Sequence, residues 1–324
     1  MSQPTFIANQ GDPEVPNTPV VPNTLAVYRN LRIGLGMTAV LLLASILIQS
    51  TYTRQPKDKH CWQGALSEYF YTSAHSIFIA SLLGLATLFF VYRGSSDTEN
   101  ALLTLAGVAA LTAALVPQGK DYIKQCTPLF IPDDLKVADV IRPNLVAIVA
   151  ALGLAWVITL FQRHYDRRDE DGIKIRQKKS PGGIVARCIL WLVVAAGLIA
   201  LCLPMVDSRD YAHGTAGFLL LSSFIATVFV TAHLANREEM SPRADGLQRF
   251  YRCFYRWWRW VMLVTFFGII AVQLIWHEFF GGLWATILEA SVTLEFCVYW
   301  AVQTFDLWDD PDRRYRLSEA DQYR

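Results

Sequence analysis

Apolar residues run in long blocks along this chain, and polar residues gather between them. No Asp, Glu, Lys, Arg or His stands between Arg32 and Arg54, and His75 alone interrupts the stretch from Glu68 to Arg93. Blocks of about 20 uncharged residues have the length that crosses a bilayer as a helix. The pattern predicts eight such spans near Ile33–Thr51, Ser73–Tyr92, Ala101–Pro117, Pro143–Phe161, Cys188–Met205, Gly214–Leu234, Trp260–Trp276 and Leu283–Phe305. The expected fold class is an all-α membrane protein, a bundle of eight transmembrane helices.

The polar intervals divide the chain. Residues 1–24 carry five of the fourteen prolines and few apolar residues, which reads as a disordered tail. Residues 25–165 hold spans one to four. A charged loop, 166–183, joins them to spans five to eight at 184–305, and a tail follows at 306–324.

Composition agrees: 53% of the 324 residues are hydrophobic and only 18% are charged. That excludes an ordinary soluble domain, which carries about 25% charged residues. The net charge of +1 gives no basic footprint for nucleic acid. The charges also orient the bundle. With the N-terminus inside, 21 of the 29 lysines and arginines fall on the cytoplasmic side and 8 on the other. The positive-inside rule then places both termini in the cytoplasm of a cell inner membrane.

Small residues recur every four positions at Ala106, Ala110 and Ala114, and again at Ala147, Ala151 and Ala155. A helix face stripped of bulk lets backbones approach closely in lipid. Arg249, Arg252, Arg256 and Arg259, at spacings 3, 4 and 3, form one stripe among aromatic residues. Such a stripe either binds anionic lipid headgroups or anchors the topology. Cys61 and Cys126 fall in outer loops, where an oxidising compartment favours a disulfide between them.

Acids inside a span are costly and normally face the bundle interior with partners, which singles out Glu289 and Glu295. Six residues apart on a helix, they point about 120° away from one another. At the outer helix ends gather Glu68, His75, Asp210, His213 and His277, with His60 and Glu278 nearby. Histidine and carboxylate suit a divalent metal, but no two histidines have the i, i+4 spacing of a preformed helical site.

The order Ser67-Glu68-Tyr69-Phe70-Tyr71-Thr72, Tyr92-Arg93-Gly94, Asn100, Ala106-Gly107 and Ala114-Leu115-Val116-Pro117 resembles a family of uncharacterised bacterial integral membrane proteins. His213-Gly214-Thr215-Ala216, Leu288-Glu289-Ala290 and Trp300 continue the likeness. That family is similar in fold to the DRAM-like group. The resemblance implies a membrane topology and no established reaction. Where relatives have Pro-x-Arg-Asp, this chain reads Ser73-Ala74-His75. Glu68–Thr72 also resembles the Glu-Phe-x-Asn-Thr entry of alkaline ceramidases, yet the His-x3-His of their zinc apparatus is absent here.

Three functions stay open. The first is recognition of a lipid or small ligand in an outer-leaflet cleft built from spans two, six, seven and eight. The second is a metal-dependent lipid-modifying hydrolase using the outer histidines. The third is a proton-coupled transporter using Glu289 and Glu295. No cofactor motif is present. The expected partners are the bilayer and a lipid or small-molecule ligand.

Overall fold

The computed structural model describes residues 20–52, 61–118, 180–202, 209–238, 245–309 and 313, and part of 143–157. Side chains at 20–24, 197–202, 209–212 and 245 are outside that description.

Seven long helices carry the fold: α1 (Val20–Tyr52), α2 (His75–Val91), α3 (Asp97–Leu115), α4 (Pro181–Cys202), α5 (Arg209–Arg237), α6 (Asp245–Ile275) and α7 (Trp284–Asp306). A short 3-10 helix, Leu66–Tyr71, lies between α1 and α2. Described residues within 143–157 are helical too. Among the described residues, five helices are long and apolar enough to cross a membrane: Leu25–Tyr52, Asp97–Leu115, His213–Arg237, Gly246–Ile275 and Trp284–Asp306. The apolar stretches His75–Val91 and Pro181–Ala196 are shorter.

Several helices outrun the expected spans, for local reasons. Helix α1 begins at Val20, inside the proline-rich stretch expected to be disordered. Pro22 falls in its first turn, where backbone N–H groups have no intrahelical partner and proline breaks nothing. Helix α6 starts at Asp245, so the arginine stripe and the apolar span are one continuous helix. Helix α3 opens at Asp97 on an N-cap, with Ser96 Oγ accepting the Glu99 N–H at 3.1 Å.

Helix α5 packs against α3, α6 and α7, while α1 packs against α2 and α7, and α3 against α2 and α4. The small-residue stripe in α3 does what lipid packing requires: Ala106, Ala110 and Ala114 are all buried. Beside them, a Cβ on Gly107 would come within 2.8 Å of the Phe90 ring, so a larger residue there would push that ring aside. In the second stripe Ala147 is exposed, and Ala151 and Ala155 lie outside the described residues. The core is aromatic: Phe224 of α5 stacks on Phe296 of α7 at 4.0 Å, and Phe89, Tyr299 and Trp300 close around Phe296.

Outward, α6 presents Trp257, Val264, Phe267 and Leu274, an apolar face suited to lipid. The α6–α7 turn needs two glycines, because Gly281 (φ 55°) and Gly282 (φ 76°) occupy the left-handed region. Trp276 and Phe279 stand exposed at that turn, as interfacial aromatics do.

Candidate functional site

At one end of the bundle, the segment after α1 folds back over the helix ends. Its 3-10 helix is buried throughout. Thr286 of α7 holds it twice, donating its N–H to Gly64 O at 3.0 Å and its hydroxyl to Gln63 O at 2.8 Å. From α1, Ser50 bonds the Tyr69 hydroxyl. Burial raises the Tyr69 phenol above its ordinary range, against the hydrogen bonds from Ser50 and Gln63.

Two of the expected site acids belong to this cap. Glu68, 4% exposed, accepts the Gly64 N–H at Oε2, 2.9 Å away. Glu289 accepts the Leu66 N–H at Oε2, 2.8 Å away. Both carboxylates thus meet backbone donors at the start of a helical turn, where such donors lack intrahelical partners. The other oxygen of Glu289 is turned elsewhere. A Cβ on Gly217 of α5 would stand 3.9 Å from Oε1, and around Gly214, one turn away, such an atom would meet open space. Gly217 therefore leaves α5 without a side chain at the point where it passes Glu289.

The histidines do not converge. His75 directs Nδ1 to Phe70 O, and His213, 6% exposed, donates from Nδ1 to Val116 O at 2.6 Å. His277 is exposed on the α6–α7 turn. The Asp210 side chain, His60 and Cys126 lie outside the described residues. Among the described residues, no three His, Cys, Asp or Glu side chains are grouped to hold a metal. Cys61 is buried and accepts from Gln63 Nε2 at 3.6 Å, whereas Cys188, Cys253 and Cys297 are free thiols.

Glu295 sits apart from Glu289, as their spacing predicts. Its Oε1 accepts from Thr265 Oγ1 of α6 at 2.7 Å, and its Oε2 is buried with no partner. The arginine stripe divides by role. Arg252 donates to Ala235 O and Glu238 O, two carbonyls at the C-terminal end of α5, where a cation also complements the helix dipole. Arg256 reaches Asn236 Oδ1 at 3.1 Å. Arg259 lies over the Phe229 and Trp260 rings, and Arg249 is exposed.

The opposite end holds a polar network that sequence reasoning missed. Arg32, 1% exposed, donates to Tyr92 OH (2.6 Å), Tyr28 OH (3.1 Å), Gln303 Oε1 (2.8 Å) and Thr304 Oγ1 (3.3 Å). Its guanidinium also lies 4.8 Å from the Trp300 ring centre. Gln303 passes the contact on, donating weakly to Glu99 Oε1 at 3.4 Å. Near it, Arg313 is buried against Glu238 and Asp306, with the Tyr255 ring over it. Burial works against the Arg313 charge, but Tyr255, Asp306 and Glu238 outweigh it and hold the guanidinium above its ordinary range.

No family model, curated protein or solved structure matches this chain.

Proposed function

We propose that this is an eight-span inner-membrane protein, both termini cytoplasmic, that recognises a lipid or small ligand in an outer-leaflet cleft beside Glu289. The orientation rests on the 21-to-8 division of lysine and arginine. The starts of α1, α3 and α6 meet the ends of α2, α5 and α7, through Arg32–Tyr92, Gln303–Glu99, Arg252–Ala235 and Tyr255–Asp306 contacts. That end, carrying Arg29, Arg32, Arg237, Arg252 and Arg313, is the cytoplasmic one in this reading.

The observation that carries the ligand site is the division of the Glu289 carboxylate. One oxygen is fixed on Leu66 N–H, which positions the group; the other faces the glycine-lined side of α5. An acceptor held rigidly against a position with no side chain recognises a donor, such as a lipid headgroup hydroxyl or amine, or a small molecule carrying the same groups. Phe218, half exposed and packed on Phe266, supplies apolar surface one residue beyond Gly217.

Mass spectrometry of protein purified in mild detergent tests this, comparing wild type with Gly217→Leu and Glu289→Gln. The expected result is a bound lipid or small molecule in the wild type that falls at least about tenfold when Gly217→Leu fills the cleft, equivalent to about 1.4 kcal/mol. Wild-type protein carrying no such molecule, or equal amounts in both proteins, would overturn the assignment. Lipid or free solute is then identified from the mass itself.

A further inference from the structure

We propose that Glu295 and Thr265 form a proton-binding site in the lipid-facing seam between α6 and α7, separate from the cleft at Glu289. Glu295 is the twelfth of the 23 residues of α7, so about 16 Å of helix separates it from either end. That is mid-membrane for a helix of this length. Trp258, Met262 and Thr265 form the stripe of α6 that meets it. Trp258 Nε1 donates to the Glu295 carbonyl oxygen at 3.0 Å, Met262 is fully buried, and Thr265 donates to the carboxyl. Beside this contact, Leu294 and Val298 on α7 and Val261 and Val264 on α6 are exposed, which puts the seam at the lipid boundary.

The two oxygens of the Glu295 carboxyl differ in their surroundings. Thr265 satisfies Oε1, the carbonyl oxygen of a neutral acid, while Oε2 has no donor directed at it. An ionised Oε2 would bring a negative charge into hydrocarbon with nothing to balance it. A proton on Oε2 removes that charge. Among the described residues no cation pairs with it: Arg259, next to Trp258 on α6, lies over the Phe229 and Trp260 rings instead. From α1, Arg32 reaches α7 only at Gln303 and Thr304, two turns away. From the cytoplasmic end, Tyr255 and Arg313 reach Asp306. From α5, Thr231 bonds Tyr299. The 3-10 segment reaches Glu289 through a backbone amide. The Glu295 carboxyl is therefore held by Thr265 within the α6–α7 seam, its second oxygen buried and unpartnered, and its proton exchanges without disturbing an ion pair.

Dicyclohexylcarbodiimide, an apolar reagent that adds to protonated carboxyls, tests the site on full-length protein in lipid nanodiscs with peptide mapping. The expected result is an adduct on Glu295 that declines as pH rises and the carboxyl gives up its proton. A water-soluble carbodiimide should leave Glu295 unmodified, and Glu295→Gln should lose the adduct while keeping the wild-type thermal transition. Gly217→Leu should label at Glu295 as wild type does, so loss of the Glu289 cleft leaves this proposal standing. An unmodified Glu295, an adduct indifferent to pH, or equal labelling by the water-soluble reagent would overturn it.

Discussion

The backbone N–H of Leu66 is bonded to Glu289 Oε2 at 2.8 Å across 223 residues of sequence, tying the segment after α1 to the last long helix. Thr286, three residues earlier on α7, bonds Gly64 and Gln63 in the same segment. This end of the bundle is thus closed by backbone donors and acceptors meeting side chains of one helix turn. Glu289→Leu strands the Leu66 amide, at a cost of about 1–3 kcal/mol for an unsatisfied buried donor. Glu289→Gln keeps an acceptor oxygen and should lose less. Hydrogen exchange at Leu66 reads the difference: the amide should exchange fastest in Glu289→Leu, and unchanged protection there would show that the bond does not hold the segment.

Arg32 should be a sensitive position at the opposite end of the bundle. Four oxygens and the Trp300 face surround its guanidinium. Arg32→Met leaves Tyr92, Gln303 and Thr304 facing an apolar side chain, and each buried polar group left unsatisfied costs about 1–3 kcal/mol. Arg32→Lys retains the charge but not the planar fork, so it should recover only part. Thermal unfolding in detergent measures both. A Lys variant as stable as wild type would remove the geometric role assigned to the fork.

These two ends differed sharply in how far the sequence exposed them. Glu289 stood out because an acid within an apolar block is costly wherever the helix turns, and that cost depends on no partner. The alanine stripe of α3 was legible for the same reason, being a property of one helix face. The partners of Glu289 were not legible, since Leu66 offers only a main-chain group that every residue carries. Nor were those of His213, whose acceptor is Val116 O, 97 residues earlier. Arg32 was hidden by its position: an arginine at the start of a span reads as a positive-inside anchor. The nearest local signal was Tyr28, one helical turn before it, on the same face. Arg313, in a charged tail, carried no signal separating it from solvated neighbours.

Arg313 is joined to Glu238 at the end of α5 and Asp306 at the end of α7, and its backbone N–H meets Ser95 Oγ at 3.4 Å. Arg313→Ala leaves two carboxylates buried without that cation, so a loss of about 3–5 kcal/mol is expected. The triple variant Arg313→Ala, Glu238→Gln, Asp306→Asn removes the stranded charges and should regain part of it. Limited proteolysis should cut the C-terminal tail faster in the single variant. If the triple variant is less stable than the single one, the carboxylates are held by something other than Arg313.

Cys61 is 3% exposed in the segment before the 3-10 helix, whereas Cys188 and Cys253 are exposed free thiols. The expected disulfide pairs Cys61 with Cys126, the other outer-loop cysteine. Alkylation of denatured protein without reductant should modify Cys188, Cys253 and Cys297 and leave Cys61 and Cys126 unmodified until reductant is added. Full modification of Cys61 under those conditions would exclude the bond.

Orientation is decided by residues at opposite ends of one helix and its following turn. Gly246, at the start of α6, is exposed, with open space where a Cβ would stand, and Phe279 is exposed in the α6–α7 turn. A cysteine at either position disturbs no packing. In a background carrying Cys188→Ser and Cys253→Ser, a membrane-impermeant maleimide added to intact spheroplasts should label Phe279→Cys and spare Gly246→Cys. Inverted vesicles should reverse the pair. Because α6 is continuous from Asp245 to Ile275, about 45 Å long at 1.5 Å per residue, both positions cannot label from one face if the helix crosses the bilayer. Labelling of both from one side would place α6 along the membrane surface, which its strongly one-sided arginine and aromatic stripes make the alternative to eliminate.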